Sequence, residues 1–221
     1  MIRINRYAQY KNEDPMRDVI RIGQKASCTV SVVAPREYMT GSGFHVGHGL
    51  IATAAHVIGE YSPTVSINIT FDGISMYPAN MVSHNEDLDI AIVHVPKMPK
   101  NIGKIEFGDS NNVERGDMIA VIASPEGFHD TSTIGRVTNI HQSPEIDKAS
   151  PAWTDLILID IDLLPGSSGG MVLNQNGKLI GMVLGILDRT GQKPMIVGLN
   201  SVQPSNKVVS VVADAIHSIS R

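Results

Sequence analysis

Short apolar runs, separated by residues that favour turns, make up most of the chain. The runs are only a few residues long and are broken by Gly, Asn, Asp or Pro. This spacing is typical of an all-β protein and not of alternating strands and helices. The predicted strands cover residues 28–33, 43–46, 64–70, 74–82, 88–95, 118–122, 132–141, 156–161, 171–173, 179–187 and 195–202.

The segment 97–104 divides this pattern, because it places proline, glycine and three lysines between two sets of strands. We interpret it as the crossover between two β-barrels, the first in residues 26–100 and the second in residues 101–203. Residues 204–221 predict a C-terminal helix. Ser205 is a suitable N-cap, and apolar residues follow it at helical spacing, at Val208, Val212, Ala215, Ile216 and Ile219.

Residues 1–25 predict no clear element. Their larger apolar side chains could pack on the body of the protein or on a neighbouring subunit, and these are Tyr7, Tyr10, Met16, Val19 and Ile20. We therefore treat residues 1–25 as an N-terminal segment that could form an oligomer contact.

Three segments carry the candidate chemistry. His56 follows Thr-Ala-Ala, Asp89 begins Asp-Ile-Ala-Ile-Val, and Ser168 lies within Pro-Gly-Ser-Ser-Gly-Gly. A base, a carboxylate that orients it and a hydroxyl nucleophile are the parts needed to attack an amide or ester carbonyl. In this interpretation Ser168 attacks, His56 removes its proton and Asp89 holds the second ring nitrogen.

These segments resemble the chymotrypsin-like serine peptidases, and among them the HtrA/Deg group most closely. The resemblance covers the protease domain only, from about residue 26 to residue 205. It rests on residues 41–44, 49–57, 89–93, 124–128, 133–137, 160–170 and 176–181. It departs at Ser167, where the group usually has asparagine. The resemblance implies an all-β fold of two six-stranded antiparallel β-barrels with a C-terminal helix. It also implies a serine endopeptidase that forms an acyl-enzyme on protein or peptide substrates and needs no cofactor.

The resemblance extends to parts of the site that carry no reactive group. The backbone N–H groups of Gly166 and Ser168 are expected to form the oxyanion hole, where glycine permits a turn that a side chain would resist. HtrA/Deg relatives often form trimers through their N-terminal segment, which implies a homo-oligomer. Ser167 cannot make the ion pair that an aspartate makes with a new N-terminus in digestive relatives. Control is therefore expected from ordering of residues 124–132 or 163–167.

Two neighbouring residues are alternatives for the roles assigned above. Asp87 lies on the same side of a predicted strand as Asp89, so periodicity does not separate them, although the resemblance favours Asp89. Ser167 is a second hydroxyl, but the Gly-Ser-Gly-Gly context favours Ser168. The alternative function is a binding module that keeps the protease fold but is catalytically silent.

Asp162 leaves the cleavage preference open between two alternatives. It stands six residues before Ser168 and, with no gap, matches the position where trypsin-type relatives place the carboxylate of their primary specificity pocket. HtrA/Deg relatives usually have a small apolar residue there and prefer small aliphatic side chains. In the first alternative Asp162 binds a substrate Arg or Lys, since a buried carboxylate needs a partner.

In the second alternative Asp160 and Asp162 share the outer face of a strand whose apolar residues point inward. Asp162 is then solvated, and the pocket stays apolar, formed partly by Leu184 and Ile186. The strand pattern favours this alternative. The predicted substrate-binding residues are Asp162, Leu184, Asn200, Ser201 and Val202.

Composition limits the classes of partner and the cellular compartment that we expect for this protein. The chain has 221 residues, is 42% hydrophobic and has a net charge of −4, so no basic excess argues for nucleic acid or an anionic membrane. The single cysteine, Cys28, cannot form an internal disulfide, which fits a reducing compartment. No apolar run at the start predicts a signal peptide or a spanning helix, so cytoplasmic residence is expected. His45 and His48 lie near His56, but no recognised ligand spacing completes a metal site.

Overall fold

Two closed barrels of antiparallel strands form the molecule, which confirms the predicted fold class. The computed structural model describes residues 15–35, 37–62, 64–143, 151–185 and 200–219. Three α-helices occur within these residues: α1 (Pro15–Gln24), α2 (Ala55–Ile58) and α3 (Ser205–Ile219). The helix predicted at the C-terminus is α3. No helix of the described residues is long and apolar enough to cross a membrane.

The first barrel is built from strands with fully buried apolar side chains, among them Val30, Phe44 and Ile92. Its six strands are β1 (Ser27–Ala34), β2 (Glu37–Gly47), β3 (Leu50–Thr53), β4 (Ser66–Thr70), β5 (Met76–Asn85) and β6 (Ile90–His94). They close in the order β1-β2-β3-β6-β5-β4. The strand β3 is missing from the predicted strands, because its four residues are all buried and show no alternation. It leads directly into α2 at the rim of the barrel.

The second barrel begins after the connection formed by residues 95–117. The two-residue strand β7 (Glu106–Phe107) lies in this connection and pairs in parallel with the start of β12. The barrel strands are β8 (Met118–Ala123), β9 (Thr131–Gln142), β10 (Leu156–Ile159), β11 (Met171–Asn174), β12 (Lys178–Gly185) and β13 (Asn200–Pro204). They run in the order β11-β8-β9-β10-β13-β12, and pairing of β12 with β11 closes the ring. Parts of the predicted strands 179–187 and 195–202 lie outside the described residues.

The helix α1 is absent from the predicted elements. Met16 and Val19 are buried, and the helix packs on β8 and β11 of the second barrel. Gly23 allows this approach, because a Cβ atom there would lie 2.7 Å from the nearest side-chain atom of Ile122. Short helices depend on packing more than on their own propensity, and the sequence pattern does not show that packing. Tyr7 and Tyr10 lie outside the described residues.

Candidate active site

His56 and Asp89 meet where α2 packs beside the turn that precedes β6. The ring atom His56 Nδ1 lies 2.7 Å from Asp89 Oδ2, and the His56 backbone N–H donates to Asp89 Oδ1 at 2.8 Å. Because an ionised carboxylate only accepts hydrogen bonds, the neutral form of the ring carries its proton on Nδ1 and a lone pair on Nε2. The Asp89 side chain is 14% exposed and that of His56 49%. The acid is therefore shielded while the imidazole faces the cleft.

The backbone at Asp89 is strained. Its φ of +52° lies in the left-handed region, which costs roughly 1–2 kcal/mol for a residue with a side chain. Two backbone hydrogen bonds hold it there, from Ala55 N to Asp89 O at 3.1 Å and from Asp89 N to Glu86 O at 3.2 Å. Asp87 is exposed in the same turn. The structure thus brings Asp89, and not Asp87, to His56.

Ser168 lies in the loop between β10 and β11 and lines a cavity together with His56. Its Oγ donates a hydrogen bond to the carbonyl oxygen of Leu184 at 3.1 Å. Within the described part of the chain no hydrogen bond joins the Ser168 hydroxyl to the His56 ring. Ser167 is only 3% exposed. Of the two adjacent serines, Ser168 is the one that the cleft can reach.

The peptide between Pro165 and Gly166 has a fixed orientation. The Pro165 carbonyl accepts a hydrogen bond from Glu126 N at 2.9 Å, and in a trans peptide the next N–H points the opposite way. Gly166 has φ +88°, and a Cβ atom there would lie 3.0 Å from Glu126 N, so the turn requires glycine. Among the described residues, no acceptor is bound to the N–H groups of Gly166 or Ser168. Two donors therefore stay available.

Ser42 of β2 connects the first barrel to the loop that carries these donors and to Ser124, which follows β8. Its side chain is fully buried, and its Oγ donates to Gly166 O and accepts from Ser124 N, both at 2.7 Å. Its backbone N–H donates to Ser168 O at 2.8 Å, and its carbonyl accepts from Thr53 Oγ1 at 2.7 Å. No motif in the sequence predicts a separate role for Ser42. The available signal was a lone hydroxyl residue between two glycines in an apolar segment.

Residues 41–182 match the family of trypsin-like peptidase domains. The chain belongs to this family. It is similar to a "serine protease HtrA-like" protein of Staphylococcus aureus strain USA300, with 30% identity over 170 residues that cover 74% of this chain and 21% of the relative. The corresponding protein of strain MRSA252 is 29% identical over the same length. The chain spans about a fifth of the length of these curated relatives.

Solved structures agree with this trypsin-like fold. The "HtrA-type protease AlgW with tripeptide" has a TM-score of 0.77 at 21% identity, over 92% of this chain and 64% of that one. The Rv3671c protease from M. tuberculosis in its active form has a TM-score of 0.73 at 22% identity, over 88% and 82%. The resemblance to the HtrA-like peptidases is confirmed, and serine endopeptidase is the enzyme class to which the family assigns the domain.

Of the predicted substrate-binding residues of this peptidase domain, Leu184 borders the cleft directly and Ser201 lies next to it. Leu184 lines the cavity beside Ser168, and its carbonyl holds the serine hydroxyl. The Ser201 Oγ donates to the carbonyl of Gly185 at 2.9 Å. A Cβ atom on Gly185 would lie 3.1 Å from Ser168 Oγ. Ser201 therefore supports the strand end that faces the nucleophile.

Asn200 and Val202 lie deeper in the second barrel. The Asn200 amide donates to the Ile161 carbonyl, while its Oδ1 is buried without a hydrogen-bond partner. Val202 is fully buried in the barrel core, so its packing places the side chain away from the cleft. Their contacts with substrate stay predictions.

Asp162 is exposed, while its neighbours Ile161 and Leu163 are buried. This alternation is what the solvated alternative expects. The structure therefore favours an outward-facing Asp162, and its role in binding stays a prediction. Ile186 lies outside the described residues.

His45 has a structural environment. It is buried, and its Nδ1 donates to the Gly103 carbonyl at 2.7 Å. Burial lowers the pKa of His45 below its usual range, which keeps the ring neutral. His48 is exposed. Within the described residues, no group of three or more His, Cys, Asp or Glu side chains could hold a metal ion.

Proposed function

We propose that this domain hydrolyses peptide bonds through His56, Asp89 and Ser168 by way of an acyl-enzyme intermediate. The observation that carries the proposal is the contact between His56 Nδ1 and Asp89 Oδ2. It fixes the ring tautomer so that Nε2 can accept a proton in the cavity that Ser168 lines. A base, its orienting acid and a nucleophile all come from the chain, so the reaction needs no cofactor.

The first step requires a rotation of Ser168 about its Cα–Cβ bond. The hydroxyl leaves the Leu184 carbonyl and turns to His56 Nε2, a reorientation that substrate binding can drive because resting enzymes often lack the catalytic hydrogen bond. His56 takes the proton as Oγ bonds to the substrate carbonyl carbon. The oxyanion then accepts hydrogen bonds from Gly166 N–H and Ser168 N–H.

Collapse of the tetrahedral intermediate breaks the C–N bond, and His56 gives its proton to the leaving amine. An acyl ester remains on Ser168. A water molecule next attacks this ester while His56 takes one of its protons. The second collapse returns the proton to Ser168 Oγ and releases the carboxylic acid. Asp89 stabilises the imidazolium in both halves.

The exposure of Asp162 leads us to propose cleavage after small aliphatic residues. Cleavage after Val, Ala or Leu should then be the same in the wild type and in Asp162→Ala. Cleavage after Arg or Lys that disappears in Asp162→Ala would establish the acidic pocket instead. The measurement is mass-spectrometric mapping of products from a denatured protein mixture.

The triad is tested with two single variants and their combination. Ser168→Ala and His56→Ala should each lower kcat by up to about 10⁶-fold, and the double variant should be hardly worse, because triad members act as one unit. A fluorophosphonate probe should attach stoichiometrically at Ser168 in the wild type. Ser167→Ala is the matched control and should keep both activity and labelling.

If the losses in kcat of the two single variants multiplied in the double variant, the assignment of Ser168 and His56 to one triad would be contradicted. Absence of labelling in every oligomeric state of the wild type would favour the catalytically silent binding module.

Assembly and cellular location stay predictions. Met16 and Val19 are buried against the second barrel of their own chain, so a trimer contact must use other residues. Light scattering would measure the subunit count, and cell fractionation would test the expected cytoplasmic location.

A further inference from the structure

A cavity of about 350 Å³ opens beside Ser168 and His56. Among the lining residues outside the triad and the oxyanion loop are Glu86, which we call the acidic wall, and Trp153, which we call the aromatic wall. Side chains along an extended peptide follow one another at about 3.3 Å per residue. A peptide bond held at Ser168 therefore brings a nearby substrate side chain to this cavity. Contact of that side chain with the two walls then influences which substrates are cleaved.

The acidic wall has no strong partner within the described residues. The Asp89 carboxylate binds His56 through both oxygens, whereas Glu86 is 80% exposed and lies 3.6 Å from His84 Nδ1. The other nitrogen of His84 contacts the Ala55 carbonyl at 3.3 Å. A carbonyl only accepts, so this nitrogen of His84 carries a proton, and the separation of 3.6 Å between Nδ1 and Glu86 is longer than a hydrogen bond. The carboxylate stays open to a cation.

The aromatic wall favours the same ligand. Trp153 is the only tryptophan of the chain, and the indole face attracts ammonium and guanidinium groups more strongly than other aromatic side chains do. Lysine and arginine also carry a long apolar stem that packs along a ring while the charged head reaches an acid. A carboxylate and an indole in one cavity thus match a single substrate chemistry.

The two walls are attached to one buried group. The Gln203 amide is fully buried, and its Nε2 donates to Leu88 O at 2.6 Å and to Ala152 O at 3.3 Å. Leu88 belongs to the turn of the acidic wall, and Ala152 directly precedes the aromatic wall. On the other side of the aromatic wall, Lys207 Nζ donates to Thr154 O at 2.6 Å. The spacing of the walls is therefore held by the fold.

We propose that this cavity is a substrate subsite that selects a lysine or arginine side chain close to the scissile bond. The proposal rests on the endopeptidase function proposed above. An exposed ion pair is weak in water, and a cation over an indole adds a contribution of similar size. Together they predict a preference in kcat/KM of about 3- to 10-fold for lysine over norleucine, its uncharged analogue, and a larger one over glutamate.

The test begins with the wild type. Products of a denatured protein mixture should show lysine and arginine enriched at one fixed position within three residues of the cleaved bond. Internally quenched peptides with lysine, norleucine or glutamate at that position then give the preference. Glu86→Gln should reduce the lysine preference to less than about 2-fold, and Glu86→Lys should reverse it in favour of glutamate.

Two further variants complete the set. Trp153→Leu should lower kcat/KM for the lysine peptide more than for the norleucine peptide, because only the charged side chain loses the contact between a cation and the indole. Glu114→Gln is the matched control, because it removes an exposed glutamate outside this cavity, and its preference should equal that of the wild type. Urea unfolding midpoints check that each variant is folded.

Three outcomes overturn the proposal. The first is cleavage with no enrichment of lysine or arginine at any position near the bond. The second is a preference for lysine or arginine that survives Glu86→Lys but disappears in Asp162→Ala. That result would place the substrate cation in the primary specificity pocket beside Asp162. The third is failure of every peptide to be cleaved together with absence of fluorophosphonate labelling. That result contradicts the endopeptidase function itself, and the subsite falls with it.

Discussion

Replacing Ser42 with alanine removes one oxygen atom from a position without access to solvent. That oxygen donates to Gly166 O and accepts from Ser124 N, both at 2.7 Å. A buried group left without its partner costs about 1–3 kcal/mol. The variant leaves two such groups, the Ser124 N–H and the Gly166 carbonyl, and the carbonyl is the less deeply buried of the two. We therefore expect the free energy of unfolding to fall by about 2–4 kcal/mol. This is a large share of the roughly 5–15 kcal/mol typical of a domain.

The same change should act on turnover more than on substrate affinity. Gly166 carries one proposed oxyanion donor, and loss of such a donor costs about 10²- to 10³-fold in kcat. Ser42→Ala keeps the donor but loosens its loop, so we expect kcat to fall by about 10- to 100-fold, with KM nearly unchanged. The assays are urea unfolding followed by the fluorescence of the single tryptophan, peptide kinetics and the rate of fluorophosphonate labelling.

Ser27→Ala is the matched control. Ser27 is a buried serine of the same barrel, but its Oγ has no hydrogen-bond partner in the described part of the chain. Its removal should be neutral or slightly stabilising, because no partner is orphaned. If Ser42→Ala matched Ser27→Ala in stability and kcat, or changed KM alone, the reasoning about the Ser42 contacts would be refuted.

Three further predictions follow from burial and backbone geometry. Burial raises the pKa of Asp130. Ionisation of this carboxyl therefore lowers the stability of the folded state as pH rises. Asp130→Asn should increase the free energy of unfolding at pH 7 but not below about pH 3.5, where the carboxyl is protonated in both states. Equal gains at both pH values, or the same gain in the exposed control Asp214→Asn, would contradict this. Burial raises the pKa of the Cys28 thiol, so iodoacetamide should label native protein only as fast as the barrel opens; labelling at the rate of a free thiol would refute it. Gly169→Ala should abolish activity and lower the unfolding midpoint, because its Cβ atom would lie 2.2 Å from a backbone oxygen of β2. Gly116→Ala has a similar positive φ but nothing within 4 Å of the Cβ position, so a similar loss there would show that backbone strain alone is responsible.

The barrels were predictable because their strands bury apolar residues in short runs bounded by turns. The exceptions have physical reasons. The strand β3 is buried on both faces and lacks alternation, and α1 depends on packing against residues about one hundred positions away, such as Ile122. Local pattern carries no information about such distant contacts.

The candidate site also has features that the sequence predicts and features that it does not. Sequence motifs indicated His56, Asp89 and Ser168 as the candidate residues, but periodicity did not separate Asp87 from Asp89. That argument assumed a strand, whereas both residues lie in a turn where Asp89 adopts a positive φ. The contact of Ser168 with the Leu184 carbonyl joins loops distant in sequence, and no pattern along the chain predicts it. The same holds for the Ser42 contacts.

The helices α1 and α3 each pack on the barrel that is formed by the other half of the chain. The helix α1 precedes the first strand of the first barrel but packs on the second barrel, whereas α3 follows the last strand of the second barrel and also packs on β5 and β6 of the first. Each half of the chain thus contributes a helix to the core of the other half. Cleavage of the connection at residues 95–117 would give fragments that each lack part of their own core, and the two should fold only when they associate. In the intact chain, melting of one barrel exposes the helix contacts of the other, so both should unfold in a single cooperative transition.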